Sequence, residues 1–314
     1  MFLHEDRRAF ARVVEDASQK EECPRNIVEK DYYVWLMLRS LAAQQSEHPS
    51  VFKGGTAMYD KLGMFNRFSE DIDLTVPVDD LPSRNQARKR LEAVALSHDL
   101  QGLVLDKTDD DYDNRKGSIT SVYVYEPLFQ AAGQDELRRA GRVKIEATSF
   151  TQSEPTEPVS VVPMVATALP VPSPFDIAPA LLPSLTLERI FTDKLFAAQN
   201  YWLKGGAYLF DAAKHIYDLC VLRRQLRIEA LLKDPARLSA IAEYTRREER
   251  DRLGSRTADM PLGRASVLTE AFDDKDFSAA YRRMQEVYVF KTQHRIPADD
   301  ARRDMARLSY ELAA

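Results

Sequence analysis

Within Ser69–Val76, polar and apolar residues alternate strictly from Asp71 onward. Ile72, Leu74 and Val76 share one face of the strand this predicts; Asp71, Asp73 and Thr75 share the other. The same period of two recurs over Arg142–Thr148, where Val143, Ile145 and Ala147 lie opposite Lys144, Glu146 and Thr148. Leu103–Leu105 and Ile119–Tyr125 read as further strands. Asp109–Asn114 between them reads as a solvated turn, without the glycine and distal glutamate of a calcium loop. Helical spacing holds over residues 5–20, over Asn26–Ala43 with an apolar side of Ile27, Tyr33 or Val34, Leu36, Leu38 and Leu41, and over Arg84–Ser97. Everything beyond Leu185 reads as helix. Residues 151–184 interleave eight prolines with apolar residues and read as an extended crossover. The pattern thus predicts an α+β chain in three parts: 1–160, carrying the sheet; 161–184, the crossover; and 185–314, a helical lobe.

The densest chemistry lies between Phe52 and Val76. Lys53-Gly54-Gly55-Thr56 is a small-residue turn whose backbone N–H groups can approach an anion. A short helix read over Ala57–Phe65 opens at that turn and points its positive end the same way. Asp71 and Asp73, two residues apart on one strand face, can grip the same hard cation. Without a cation between them they repel. Ser69 faces the same side, so a phosphate there would set roughly two negative charges beside the carboxylates. Each half alone also fits a plain turn and a solvated strand edge.

Composition narrows the class. Of 314 residues, 44% are apolar, enough for a sizeable core, yet no apolar run reaches membrane-spanning length. The first residues form a charged amphipathic segment rather than the apolar core of a signal peptide. Cys23 and Cys220 show neither metal nor disulfide spacing. A cytoplasmic protein with no membrane contact is expected. The formal net charge of −5 argues against a chain that coats nucleic acid broadly, but leaves room for a local basic groove.

The helical lobe carries two polar intrusions. Lys194 falls inside the apolar stripe of Leu187, Ile190, Phe191, Leu195 and Ala198, where an ammonium must snorkel or meet an anion. Asp211, Lys214, His215 and Asp218 recur at helical spacing on a largely apolar helix. Asp218 is placed either to act in a site or to pair with Lys214 at i,i+4. Lys30, in the second helix, is placed either to touch phosphate or RNA or to be a solvated charge paired with a neighbouring carboxylate. The Arg84–Arg90 and Arg246–Arg252 clusters read chiefly as solvated faces.

The stretches KGGTA and RFSEDIDL resemble the AbiEii/AbiGii abortive-infection toxin family of the DNA polymerase β-like nucleotidyltransferase superfamily. VEKDYYV, LTLERIFTDKLFAA and the segment Asp211–Leu219 resemble further motifs of that family. His215 stands where the family often carries an aspartate. The resemblance implies a polymerase β-like core followed by a helical lobe, and a toxin of a bacterial type IV toxin–antitoxin, phage-defence system. It implies Mg²⁺ or Mn²⁺ held by Asp71 and Asp73, with Glu146 on a neighbouring strand as third carboxylate. Lys53, Gly54, Gly55, Thr56 and Ser69 would bind an NTP, with Lys194 as a cationic clamp and Asp218 as the retained catalytic aspartate. It further implies transfer of NMP to RNA, most of all the tRNA 3′ end, blocked translation, and an antitoxin encoded nearby. Two other functions stay open: an antibiotic-type small-molecule nucleotidyltransferase, and a catalytically idle nucleotide- or RNA-binding module.

Overall fold

The computed structural model describes residues 1–130, 140–253, 255 and 257–313, with the backbone alone for Arg252 and Leu253. The side chain of Arg252, expected on a solvated face, lies outside the described residues. The chain forms two compact units, Met1–Ser184 and Leu185–Ala314.

The first unit opens with α1 (Arg7–Lys20) and α2 (Arg25–Ala43). Asp6 starts α1 by accepting from the N–H groups of Arg8 and Ala9. Then follow β1 (Val51–Lys53), α3 (Gly54–Leu62), β2 (Asp71–Thr75), α4 (Arg84–Leu96), β3 (Val104–Leu105), β4 (Asp113–Arg115), β5 (Ser118–Val124), β6 (Arg142–Thr148), β7 (Thr156–Val161) and β8 (Ala180–Leu185). Among the described residues these strands form one mixed sheet in the order β3-β5-β6-β2-β1-β8-β7, with β4 on β5. The central strand β2 runs parallel to β6 and antiparallel to β1.

The period of two is realised as expected. Phe52, Ile72, Leu74, Ile119, Val143, Ile145 and Ala147 are fully buried on one face of the sheet. That burial is the main term fixing the register, because a one-residue slip would turn every polar partner inward. The opposite face carries the acidic residues.

Three differences from the sequence pattern have physical causes. The Pro-rich stretch is not a bare crossover: it contributes β7 and β8, and β8 pairs with β1 at Phe52↔Ser184. Pro158 and Pro183 lie within these strands, next to positions where period-two burial of Val159, Val161, Leu182 and Leu185 outweighs the proline signal. Helix α3 begins at Gly54, earlier than Ala57, and ends at Leu62, where Gly63 adopts the left-handed conformation that stops it. The acidic turn before β5 is tied down rather than solvated, since Arg142 bonds Asp109 at 2.7 Å and Asp111 at 2.8 Å.

The second unit comprises α5 (Leu187–Lys204), α6 (Leu209–Arg223), α7 (Leu226–Leu232), α8 (Pro235–Glu248), α9 (Ser266–Thr269), α10 (Lys275–Tyr288) and α11 (Ala298–Ala313). Helix α6 is its centre, packing against α5, α10 and α11. Thr186 caps α5 through its hydroxyl. Leu187, Ile190, Phe191, Leu195 and Ala198 are buried as their spacing requires. Arg246 departs from the solvated face expected of its cluster: it donates to the carbonyls of Ala258 and Met260 and lies over the Phe196 ring. No helix among the described residues is long and apolar enough to cross a membrane.

Candidate active site

The Gly-Gly turn is built by close approach. Gly54 has φ +79°, and a Cβ placed on it would lie 1.9 Å from Asp73 Oδ2. Only glycine lets the start of α3 and the Asp73 carboxylate share this space. A Cβ on Gly55 would meet Ser69 Oγ at 2.6 Å and an Arg67 guanidinium nitrogen at 3.0 Å. Thr56 donates its hydroxyl to the carbonyl of Asp71 at 2.6 Å and lies 3.1 Å from Ser69 Oγ. Thr56 therefore stitches α3 to β2, while the backbone of Gly54 and Gly55 forms the turn itself. Gly54→Ala adds both a clash with Asp73 and backbone strain of about 1–3 kcal/mol. It is expected to cut transfer on the order of 100-fold by displacing Asp73. A steady-state assay beside a melting curve checks this.

The sheet gathers charge on the face opposite the core. Asp71 pairs with Lys144 and Asp73 with Glu146 across the parallel β2–β6 ladder, and Lys53 pairs with Asp73 across β1–β2. Directly paired residues point to the same side, so these five side chains share one face. Lys144 Nζ lies 2.8 Å from Glu146 Oε1 and 3.3 Å from Asp71 Oδ2. Burial opposes the Lys144 charge, but Asp71 and Glu146 together hold its pKa well above the ordinary lysine value. Lys53 Nζ lies 3.4 Å from Thr151 Oγ1.

The oxygen-only donor pair of Asp71 and Asp73 suits a hard divalent ion. Mg²⁺ is commonly held by one or two carboxylates plus substrate phosphates. The three-carboxylate set is another matter. Among the described residues no group of three or more His, Cys, Asp or Glu is placed to hold a metal, and Glu146 is engaged by Lys144.

Two residues here were not singled out from the sequence. Lys144 stood on the polar side of its strand beside Glu146, but only the β2–β6 register shows that it faces Asp71. Arg67 is 4% exposed; it donates to the carbonyl of Phe68 and lies over the Tyr59 ring. The signal for Arg67 was a lone cation between two phenylalanine positions. Lys30 pairs with a carboxylate, as one of its two readings expected. It is buried, not solvated, and bonds Glu70 at 2.7 Å, fastening α2 to the residue before β2.

A second buried acidic feature lies on α3. Burial pushes the Asp60 carboxyl up to about 8, with repulsion from Asp31 adding to it. Its Oδ2 is buried and has no hydrogen-bond partner among the described residues. Burial likewise lifts Asp31 to about 7, against a hydrogen bond from the Met164 N–H and with Glu21 raising it further. Unfolded, both ionise near pH ~4. The folded state thus binds more protons between about pH 4 and 8, and stability falls as pH rises through that window. Asp60→Asn is expected to lose less melting temperature than wild type between pH 5.5 and 8.5. Identical losses in the two proteins would contradict the assignment.

In the second unit, Lys194 and Asp218 meet. Lys194 Nζ lies 2.9 Å from Asp218 Oδ2; their side chains are 8% and 0% exposed. Lys214 pairs with Asp211 at 2.7 Å, while the ion pair of Asp218 is with Lys194. His215 stacks on Tyr201 at 5.5 Å between ring centres.

No curated protein matches the chain. Residues 35–304 match the family described as the nucleotidyl transferase AbiEii toxin of type IV toxin–antitoxin systems. That span takes in the Gly-Gly turn, the Asp-x-Asp strand, Lys144, Glu146, and the Lys194–Asp218 pair. The chain belongs to the AbiEii family of nucleotidyl transferase toxins.

Proposed function

We propose that the protein is a metal-dependent enzyme that transfers NMP from an NTP to the 3′ end of RNA, with tRNA as the acceptor, and so blocks translation. The observation that carries this reading is the packing of Asp73 against Gly54, which sets an Asp-x-Asp face beside the start of a helix. Asp71 and Asp73 would hold Mg²⁺ or Mn²⁺, which when bound neutralises charge on the triphosphate and the departing pyrophosphate. The Gly54-Gly55 backbone orients the phosphates, helped by the positive end of α3. Lys53, on the same sheet face, adds a cation for the triphosphate. No nucleophilic side chain is needed. Catalysis is positioning and charge compensation for a hydroxyl attacking the α-phosphorus.

A surface of the second unit favours RNA over a small-molecule acceptor. Tyr208, Tyr201 and His215 form a run of near-parallel rings, with Tyr201 6.0 Å from Tyr208 and 5.5 Å from His215. Lys204 Nζ lies 4.9 Å and 5.0 Å from the two tyrosine ring centres, and Tyr208 is 48% exposed. An exposed ring at the end of such a stack, edged by a cation, suits nucleobases and phosphates, each stacked base being worth ~1–3 kcal/mol. Tyr208→Ala is expected to raise KM for tRNA roughly tenfold and to leave KM for the NTP unchanged. Labelling of an aminoglycoside in preference to total tRNA would instead establish the small-molecule reading.

Ser69 offers a control point. Its hydroxyl sits against Thr56 and the Gly55 turn, two residues before Asp71. A phosphate there, added by a kinase-like antitoxin, would repel the triphosphate. The alternative antitoxin is a DNA-binding repressor that never touches the toxin. Ser69→Ala should keep substantial transfer and Ser69→Glu should lose it. Equal loss in both, with lower melting temperatures, would make Ser69 a structural cap.

A further inference from the structure

Lys144 has a place in this site that the Asp-x-Asp pattern does not call for. The β2–β6 register sets it beside Asp71 on one neighbour and two residues from Glu146 on its own strand. Its ammonium bridges the two carboxylates, at 3.3 Å from Asp71 Oδ2 and 2.8 Å from Glu146 Oε1. It is the only cation among the described residues recorded in a salt bridge to either carboxylate. Lys53, on the same face, is directed to Thr151 instead.

Carboxylates at neighbouring positions of one sheet face repel one another, and cations lying among them relieve that repulsion. Two divalent ions are one way to supply that charge, with a third carboxylate holding the second ion. Here the third carboxylate already has a fixed counter-charge. Lys144 already brings to Asp71 and Glu146 the positive charge that a second ion would supply. A second divalent ion beside Glu146 would have to displace an ammonium held by two carboxylates and sit within a few ångström of it. The absence of any metal-competent group of three acidic, His or Cys side chains among the described residues agrees with this.

We infer that Lys144 takes the place of a second metal ion, so that the enzyme works with a single divalent cation held by Asp71 and Asp73. The inference rests on the nucleotidyl-transfer reading of this face. In it Glu146 is a partner of Lys144 and not a metal ligand. Lys144 is a positioning residue that fixes the carboxylates and supplies charge without exchanging with solvent metal.

The test counts ions rather than turnover. Full-length protein is titrated with Mn²⁺ in the presence of each of the four α,β-imido nucleoside triphosphates, and bound Mn²⁺ per bound nucleotide is read by electron paramagnetic resonance. Wild type is expected to bind one ion, and Lys144→Ala two. Because removing Lys144 can disturb the sheet, Glu146→Gln is measured as well. It is expected to bind one ion with an affinity within about threefold of wild type. Two ions in wild type, one ion in a folded Lys144→Ala, or a tenfold loss of Mn²⁺ affinity in Glu146→Gln would overturn the inference while leaving nucleotidyl transfer standing. If no nucleotide-dependent Mn²⁺ binds to wild type, or if Asp71→Ala binds it equally well, the reading of the face fails and the inference falls with it.

Discussion

Replacing Asp73 with alanine is expected to lower nucleotide transfer at least ~1,000-fold while the melting temperature stays near that of wild type. The side chain is on the polar face of β2, opposite the buried Ile72 and Leu74, so its loss leaves the core intact. Its carboxylate lies against Gly54 and forms, with Asp71, the donor pair suited to a hard cation. Removing it takes away a ligand of the proposed ion, and with that ion the charge compensation proposed for the triphosphate. Glu146, its partner across the ladder, is held by Lys144. Asp71→Ala should behave alike in activity, with an added effect on Lys144, which would keep only Glu146. Transfer assays in Mg²⁺ and thermal melts on the purified variants decide the point. Near-normal transfer by Asp73→Ala would remove the metal assignment.

Lys194→Met is expected to unfold the second unit more easily, by about 3–5 kcal/mol, as well as to impair activity. The spacing of Lys194 within an apolar stripe suggests that methionine would fit with equal or greater stability. The structure reverses that expectation. Lys194 neutralises Asp218, which is fully buried on α6 at the centre of the helical unit. Methionine preserves volume but removes the ammonium that pairs with a fully buried carboxylate. Asp218→Asn should be milder than Lys194→Met, because the amide can still hydrogen-bond the ammonium. The double variant Lys194→Met/Asp218→Leu should recover most of the lost stability, because it removes both charges at similar volume. If that stable double variant retains full transfer, the pair is structural alone. If it is folded and inactive, the charges themselves serve the reaction.

The local pattern made much of the first unit legible. Strict alternation over Asp71–Thr75 and Arg142–Thr148 identified both strands and the residues on their polar faces, because burying Ile72, Leu74, Val143 and Ile145 leaves no freedom in facing. Helix α5 and the anomaly of Lys194 were legible for the same reason, at a different period. What could not be read locally was partnership. Nothing in the spacing says that Lys144 faces Asp71, since that depends on the register of two strands about seventy residues apart in sequence. Nor does the helix pattern favour Asp218–Lys194 over Asp218–Lys214; the choice is made by the packing of α5 on α6. Lys30 illustrates the same limit, because burial of α2 on several sides turned a charge that looked solvated into a buried tie to Glu70. The proline-rich stretch misled for another reason. Prolines mark breaks in regular structure, yet β7 and β8 form where alternating Val and Leu side chains meet the end of the sheet.

The most direct test of nucleotidyl transfer at the Asp71–Asp73 face is the intact mass of tRNA after incubation with the protein, Mg²⁺ and each NTP in turn. Wild type should add the mass of one or more nucleoside monophosphates to tRNA with at least one NTP, and periodate-blocked 3′ ends should not react. Asp71→Ala, and wild type in EDTA, should add none. Unchanged tRNA mass with all four NTPs, or additions by Asp71→Ala equal to those of wild type, would contradict the account.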